Sequence, residues 1–324
     1  MLKEMNTLGA KKVPFFFIID FEIKNPIIVP LEKINPDEIL YKINEKNNYE
    51  KINQLDKPEK QKEKIILKKY PPAFTEYKKA FHKVIENQIA GNSYLLNLTF
   101  STKIKINKSL KEIFLMSEAP YKLFFKDEFI VFSPESFVKI KDNIISSYPM
   151  KGTIDAKEPN AEQTIINDEK EYAEHVTIVD LIRNDLSIKA KNVKVEKFRY
   201  IDKIKTAEKE LLQVSSKITG ELENNYHKNL GNIFLSLLPA GSITGAPKKK
   251  TIEIIKETET HNRGFYTGVF GVFDGQNLDS AVIIRYIEKR ENQYLYKSGG
   301  GITVYSEAKK EYKEMMDKIY VPIA

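Results

Sequence analysis

The sequence is constrained most by the pattern of residues from Asp168 to Leu186, because it fixes one long element. Asp168 is followed three residues later by Glu171, a capping-box arrangement that predicts the start of a helix. The apolar residues that follow recur at helical spacing: Tyr172, Val176, Val179, Ile182 and Leu186. This pattern predicts a well-packed helix that carries Glu174 near its start.

Lys151 lies just before this helix, in the stretch Pro149-Met150-Lys151-Gly152-Thr153. A proline and a glycine leave the backbone of a loop few accessible states, so the lysine amine is presented at a fixed place. Lys151 is therefore a candidate nucleophile. The alternative is an ordinary solvated charge, because Lys and Arg together number 52 in this chain.

The composition favours a globular protein without disulfide bonds or a cysteine nucleophile. Of 324 residues, 41% are hydrophobic, enough for a packed core, and none is cysteine. The apolar run Val13–Ile19 is too short to span a membrane and is followed at once by acidic residues, unlike a signal peptide. We expect a buried strand there, no membrane partner and a cytoplasmic location.

The charge of the chain leaves a second class of function open. The formal net charge is +7, which fits a nucleic-acid-binding protein, but 45 acidic residues are interspersed with the basic ones. No basic stripe stands out along the sequence. We therefore expect no nucleic-acid partner and keep that function as a distant alternative.

The first seventy residues predict a short segment of strand and helix, followed by a lysine-rich connection. Phe15–Phe21 and Ile27–Val29 have strand patterns, Asp37–Lys46 predicts a short helix, and Tyr41–Lys69 predicts a solvated helix or a flexible connection. Pro71-Pro72 marks the boundary. Residues 71–324 then alternate strand-like and helical segments and predict one large α+β domain, including a strand over Ala281–Ile287.

Three further features are candidates for chemistry, each with a simpler alternative. Glu135 beside a proline break is either catalytic or a turn carboxylate. Residues 239–248 bring two glycines and a threonine to a helix start, either to bind an anion or simply to enter the helix. Arg285 among apolar residues either meets a carboxylate or faces solvent from its strand.

The last helix carries a possible metal site. A strand over Ile302–Tyr305 leads into it, with Ser306 as the predicted cap, and Glu311, Glu314 and Lys318 share one face. Two carboxylates one turn apart repel each other unless a cation lies between them, and hard oxygen ligands suit Mg²⁺. Surface helices carry such pairs as well, so solvated carboxylates are the alternative.

Taken together, these segments resemble the chorismate-utilising enzymes, and among them the aminodeoxychorismate synthases. The resemblance covers about residues 75–324 and follows the family's order of motifs: SPESF (133–137), PMKGT (149–153), EHVTIVDLIRNDL (174–186), GSITGAPK (241–248), RGFYTG (263–268), AVIIR (281–285), SGGGI (298–302) and EYKEMMDK (311–318). It implies an α/β sandwich, with two antiparallel sheets packed between helices and the active site in one large domain.

The resemblance also implies a role for each site residue. Glu174, Glu311 and Glu314 would hold Mg²⁺, which holds the ring carboxylate of chorismate. The enolpyruvyl carboxylate would be bound by a second set of residues: Tyr266, Arg285 and the amides of Gly299, Gly300 and Gly301. The substrate and metal surroundings would be completed by Gly152, Thr153, Gln213, Thr244 and Lys318.

Lys151 decides the reaction that the resemblance implies, because the other branches typically have alanine there. Its amine would attack C2 of chorismate while Glu135 protonates the departing C4 hydroxyl. Ammonia would then enter at C4 and expel the lysine, leaving 4-amino-4-deoxychorismate. A free lysine is only about one part in a thousand neutral near pH 7.5, so we expect a lowered pKa for Lys151 and a raised pKa for Glu135.

Two departures from the family patterns support this branch. Gln213 replaces the histidine that many relatives carry near the ring, and Leu95 replaces the lysine that activates water in isochorismate and salicylate synthases. The alternative within the family is an anthranilate synthase component I, which aminates C2 and eliminates pyruvate. Because the chain has no cysteine for a glutaminase, we expect a separate glutamine amidotransferase subunit as a partner that supplies ammonia.

Overall fold

A computed structural model describes residues 2–49, 64–205 and 210–323. In this part of the chain two antiparallel sheets lie face to face, and helices cover their outer faces. The α/β sandwich with two antiparallel sheets, predicted from the family resemblance, is confirmed. None of the described helices is both long and apolar enough to cross a membrane.

The described helices are α1 (Leu2–Ala10), α2 (Phe74–Ile89), α3 (Leu110–Met116), α4 (Ala161–Asn167), α5 (Glu169–Ser187), α6 (Leu230–Leu237), α7 (Lys248–Thr258) and α8 (Ala308–Asp317). The described strands are β1 (Phe15–Ile19), β2 (Ile27–Pro30), β3 (Ile39–Ile43), β4 (Lys46–Asn47), β5 (Leu67–Tyr70), β6 (Leu95–Ile106), β7 (Tyr121–Phe125), β8 (Phe129–Ser133), β9 (Ser136–Lys141), β10 (Ile144–Ser147), β11 (Met150–Asp155), β12 (Lys191–Lys205), β13 (Glu210–Glu221), β14 (Gly245–Ala246), β15 (Val269–Phe273), β16 (Leu278–Val282), β17 (Tyr286–Arg290) and β18 (Gln293–Ile302). Short 3₁₀ turns cover Leu31–Lys33, Tyr226–Asn229 and Gly241–Ile243.

The two sheets interleave segments from the whole chain. The first has the order β11-β13-β10-β9-β16-β15-β1-β2, with β12 on β13, and the second has the order β14-β6-β18-β17-β8-β7-β3-β4, with β5 on β6. Strands β1 and β3 come from the first seventy residues, and each lies between two other strands. This early part of the chain therefore contributes to both sheets.

Strand β1 shows why the first sheet is buried on both faces. Successive side chains of a strand point to opposite faces, and Phe16 and Ile18 pack between the two sheets while Phe15 and Phe17 pack toward the helices. The continuous apolar run in the sequence is what a strand covered on both sides requires. Helices α5 and α6 share this outer core, and α2, α7 and α8 cover the second sheet.

Several predicted elements differ from the structure. The helix predicted over Asp37–Lys46 is wrong, because Ile39–Ile43 pairs with β7 as a strand. The ends of Tyr41–Lys69 are strands rather than solvated helix, and its residues 50–63 lie outside the described part of the chain. The lysine-rich stretch after α5, which had no predicted element, is the strand β12 along the edge of β13.

Three more corrections concern elements near the site. The strand predicted over Ala281–Ile287 is two strands in different sheets, so the chain crosses between the sheets at Arg285. The predicted strand Ile302–Tyr305 ends at Ile302, because β18 already contains the glycines. Glu307, not Ser306, precedes the first turn of α8, and the Ser306 hydroxyl accepts a hydrogen bond from the amide of Thr303.

The central helix begins as predicted but buries a different face at its start. Asp168 accepts a hydrogen bond from the amide of Glu171 and caps α5. Ile182 and Leu186 are buried in the core, whereas Tyr172 and Val176 are 48% and 38% exposed. The first turns of α5 instead bury Glu174, which directs this carboxylate into the protein.

Candidate active site

A cavity of about 490 Å³ lies where the ends of several elements meet. Both sheets contribute to its wall, together with α5, α8 and the turn before α7. The residues that line it are Asn97, Pro134, Glu135, Pro149, Met150, Lys151, Gly152, Thr153, Glu171, Glu174, Ile178, Gln213, Ser242, Ile243, Tyr266, Ile284, Arg285, Lys297, Ser298, Gly299, Gly300, Gly301, Glu311, Glu314 and Lys318.

The structure brings together all of the predicted site residues except Thr244. Thr244 is fully buried behind the wall, where its hydroxyl donates to the carbonyl of Ala240 at 2.8 Å. Its own carbonyl accepts a hydrogen bond from the amide of Asn97. In this structure the side chain of Thr244 therefore shapes the turn, and its place in the substrate surroundings stays a prediction.

Lys151 lies on an edge strand with a bulge, rather than in the predicted loop. Lys151 pairs with Val214 and Thr153 with Gln213, so the register shifts at Gly152, whose φ of +73° favours glycine. A bulge of this kind re-aims the neighbouring side chains. Here it directs the lysine amine into the cavity, where Nζ lies 3.0 Å from Oε2 of Glu174.

The electrostatic surroundings of Lys151 keep its amine protonated in the structure as described. Burial acts to lower the pKa of Lys151, but the charge and hydrogen bond of Glu174, together with the charges of Glu171 and Glu314, outweigh burial and raise that pKa above its ordinary value. The lowering of the Lys151 pKa that a nearby cation would cause stays a prediction, because here Glu174 pairs with the lysine amine itself.

Glu135 faces the same cavity from the position just before β9. Its backbone carbonyl accepts a hydrogen bond from the amide of Val282, and its Oε1 accepts one from the hydroxyl of Ser242 at 2.8 Å. Burial raises the pKa of Glu135, an effect that Ser242 and the nearby cations Lys151, Arg285 and Lys318 only partly offset. The raised pKa is the direction that a general acid requires.

Arg285 lies at the crossover between the two sheets and has a left-handed backbone, with φ of +54°. Such a conformation is strained for a residue other than glycine and is held by the surrounding fold. The guanidinium group lies 5.4 Å from the ring of Tyr320, and its buried Nε has no hydrogen-bond partner among the described residues. A buried guanidinium with an unused donor suits an anionic ligand.

The glycines of β18 keep this part of the cavity open. Strand β17 pairs with β18 only up to Lys297, so among the described strands the end of β18 pairs with β6 alone. A side chain on Gly300 would lie 3.5 Å from Oε2 of Glu311, and one on Gly301 would lie 3.4 Å from Nζ of Lys151. The absence of side chains here leaves room for a ligand between the lysine and the carboxylates.

The three predicted metal ligands share the cavity, but they do not form a preassembled ion site. Glu174 and Glu311 are 7% and 3% exposed, and Glu311 and Glu314 both lie near Gly300. No group of three or more acidic or histidine side chains in the described ranges is arranged to hold a metal ion. Instead Nζ of Lys151 contacts Glu174, and Nζ of Lys318 lies 2.7 Å from Glu314.

The donor set nevertheless has the chemistry that Mg²⁺ prefers, since all three groups are carboxylates that line the same cavity. Lys318 also donates to the carbonyl of Gly299 at 3.0 Å, which links α8 to the glycine strand. The carboxylates thus fit a cation by type, while in this structure lysine ammonium groups neutralise two of them.

Five polar residues that line the cavity were not predicted as site residues: Asn97, Glu171, Ser242, Lys297 and Ser298. Ser242 contacts Glu135, Glu171 lies next to Gly152, and Ser298 has a buried hydroxyl without a hydrogen-bond partner in the described chain. Ser242 and Ser298 lie inside motifs that the sequence already showed, whereas Glu171 was interpreted only as part of the cap of the long helix. Their chemistry followed from neighbours that are distant in sequence, and no local pattern marks such contacts.

The comparisons with known proteins point to one family. The family described as chorismate binding enzyme matches residues 16–324. A Haemophilus influenzae protein described as an uncharacterized PabA-like protein is 48% identical over 322 residues, which covers 99% of this chain and 96% of the relative. Aminodeoxychorismate synthase component 1 of Bacillus subtilis is 33% identical over 267 residues, covering 76% of this chain and 55% of the relative.

Solved structures share the fold at low identity. The putative 2,3-dihydroxybenzoate-specific isochorismate synthase of Bacillus anthracis superposes with a TM-score of 0.71 at 19% identity and covers 98% of this chain and 87% of its own. Anthranilate synthase component I of Streptococcus pneumoniae gives 0.66 at 24% identity, covering 79% and 59%. With nearly the whole sequence matched by the family and by full-length relatives, this protein belongs to the chorismate binding enzymes.

Proposed function

We propose that the protein is an aminodeoxychorismate synthase component I, which converts chorismate and ammonia to 4-amino-4-deoxychorismate for p-aminobenzoate and folate biosynthesis. The observation that carries the proposal is the placement of the Lys151 amine inside the cavity by the bulge at Gly152. A lysine amine at this place can form a covalent bond with the substrate ring, which splits one difficult displacement into two easier steps.

In the first step the neutral amine of Lys151 forms a bond to C2 of chorismate, and the double bonds of the ring shift. The C4–oxygen bond breaks, and Glu135 gives its proton to the departing hydroxyl, which leaves as water. In the second step ammonia forms a bond to C4 and the C2–nitrogen bond to Lys151 breaks. The raised pKa of Glu135 supports its role as the proton donor.

Substrate binding would use two sets of polar residues that line the cavity. Arg285, with its unused buried donor, and Tyr266 suit the enolpyruvyl carboxylate. Glu174, Glu311 and Glu314 would hold Mg²⁺, which would neutralise the ring carboxylate. Gly300 and Gly301 leave room for the ring between these groups.

The ammonia requires a second protein or free ammonium. The chain contains no cysteine, so it has no thiolate with which to hydrolyse glutamine. We therefore propose a glutamine amidotransferase subunit as the physiological partner. Similarity to relatives named for aminodeoxychorismate synthesis supports this assignment.

Product identity tests the proposal against the alternative reaction in the family. The purified chain is incubated with chorismate, Mg²⁺ and ammonium at alkaline pH, and the product is identified by mass spectrometry before and after an aminodeoxychorismate lyase is added. We expect p-aminobenzoate to appear only with the lyase. Anthranilate formed without the lyase would show amination at C2, the reaction named for some relatives. That product would overturn the proposal.

A further inference from the structure

Ser242 makes the one side-chain hydrogen bond that the described residues give to the carboxyl group of Glu135. Its Oγ lies 2.8 Å from Oε1 of Glu135, across 107 positions of sequence. When a carboxyl group is neutral, one of its oxygens carries the proton and donates, while the other only accepts. The partner of one oxygen therefore decides where the acid proton resides.

The turn that carries Ser242 is fixed on both sides. The carbonyl of Ile243 accepts hydrogen bonds from the side chains of Asn97, at 3.0 Å, and Arg263, at 3.1 Å. Gly241 packs so closely on α5 that a side chain there would lie 2.7 Å from Cδ2 of Leu181. Because the Glu135 backbone is itself bonded to Val282, both partners of the contact are held in place.

We propose that Ser242 is a positioning residue for the general acid Glu135, an inference that rests on the proposed function. The hydroxyl of Ser242 donates to Oε1, so the acid proton of neutral Glu135 is held on Oε2, the oxygen left to donate to the C4 hydroxyl. When that proton moves to the departing hydroxyl, the O–H bond at Oε2 breaks and Glu135 becomes a carboxylate. The hydrogen bond from Ser242 strengthens as this charge develops.

This role predicts that removing Ser242 slows the chemical step and leaves substrate binding nearly unchanged. An interaction that strengthens only as the reaction proceeds lowers kcat when it is removed and leaves KM nearly unchanged. We expect Ser242→Ala to lower kcat about 10- to 100-fold, at or below the lower limit of what general acid catalysis contributes. The KM for chorismate should stay within about twofold of the wild-type value.

The pH dependence supplies a second readout. The charged groups that face Glu135 are Lys151 on β11, Arg285 at the crossover and Lys318 after α8, and Ser242→Ala leaves all of them in place. Because the Ser242 hydrogen bond favours the ionised form of Glu135, its loss raises the pKa of Glu135. One limb of the plot of kcat against pH should report the ionisation of Glu135, and Glu135→Gln should abolish it. That limb should move to higher pH in Ser242→Ala.

The experiment compares Ser242→Ala with Ser242→Thr, which keeps a hydroxyl and should restore most of kcat. Ser236→Ala serves as a matched control, because the Ser236 hydroxyl donates to a carbonyl within α6; thermal unfolding of each variant reports the fold. Wild-type kcat and an unmoved pH limb in Ser242→Ala would overturn the proposal. A loss of kcat that Ser242→Thr does not restore, with no shift of the limb, would also overturn it.

This test and the proposed function fail in different ways. The wild-type product decides the function, whereas the Ser242 experiment measures ratios of kcat between variants. If the wild-type protein forms anthranilate, C4 amination is wrong. The C4 hydroxyl departs in that reaction too, so Glu135 still needs its proton held on Oε2, and the comparison of Ser242→Ala with Ser242→Thr still supports or overturns the positioning role.

Discussion

The amine of Lys151 lies 3.0 Å from Oε2 of Glu174, which joins the proposed nucleophile to a proposed metal ligand. The lysine side chain is 24% exposed and that of the glutamate 8%, so water screens the pair only partly. Glu174 therefore holds Lys151 in its charged form, in which the amine cannot attack. The proposed reaction requires this contact to change when substrate binds.

Replacing Lys151 tests its role as the nucleophile. We expect Lys151→Ala to keep chorismate binding, because Arg285 and Tyr266 remain, and to lower aminodeoxychorismate formation at least about a hundredfold, which is about 2.7 kcal/mol of transition-state stabilisation. Lys151→Arg keeps a positive charge and should be as inactive. Product formation is followed by mass spectrometry, and unchanged turnover in Lys151→Ala would remove the covalent step.

Replacing Glu135 with glutamine should lower the activity while it raises the thermal stability at pH 7.5. Because the folded-state pKa of Glu135 is raised from its ordinary value of 4.5, the folded protein binds more protons than the unfolded chain, and Glu135 destabilises the fold as pH rises above 4.5. The variant loses the charge, so it should unfold at a higher temperature than wild type at pH 7.5. At pH 4 the two should be much closer.

Thermal unfolding at both pH values and kcat at pH 7.5 check this prediction. We expect Glu135→Gln to lower kcat about 10²- to 10⁴-fold, the usual contribution of a general acid. Glu253→Gln, on the exposed face of α7 where Glu253 pairs with Lys250, is the matched control. A variant of Glu135 that is less stable than wild type at pH 7.5 would contradict the raised pKa.

Arg285→Gln tests the assignment of the carboxylate site. The substitution removes the guanidinium group with the unused Nε donor, so the KM for chorismate should rise at least about tenfold, equivalent to about 1.4 kcal/mol. Arg290→Gln removes an arginine that is 57% exposed and pairs with Glu288, and it should leave the KM near the wild-type value. Equal effects of the two substitutions would contradict a carboxylate bound at Arg285.

Calorimetric titration with Mg²⁺ in the presence of chorismate tests the metal site. We expect Glu311→Gln to weaken Mg²⁺ binding at least about tenfold, the lower end of what even outer-shell partners contribute. Glu311 is 3% exposed and lies near Gly300 with Glu314, so the amide should fit the same space. Wild-type Mg²⁺ affinity in Glu311→Gln would place any metal elsewhere, and Glu257→Gln, on exposed α7 surface, controls for the loss of charge alone.

Local sequence patterns predicted the long helix, the apolar strands and the spacing of Glu311 and Glu314, because each depends on neighbours within a few residues. They were wrong at Asp37–Lys46 and at Arg285, where pairing with distant strands decides the conformation. The motifs named the residues of the cavity but not the contact between Ser242 and Glu135. Roles in binding and catalysis stay predictions for all of these residues.

The sequence by itself determined the family, the two-sheet sandwich and most of the side chains that line one cavity, because its motifs in a fixed order identify a family that shares this fold and site. Only the tertiary structure decided that Lys151 lies on a bulged edge strand against Glu174, and that its pKa is raised rather than lowered. A pKa depends on every charge within several ångströms and on burial. The charged neighbours of Lys151 lie on α5 and α8, and only the folded chain brings them to β11.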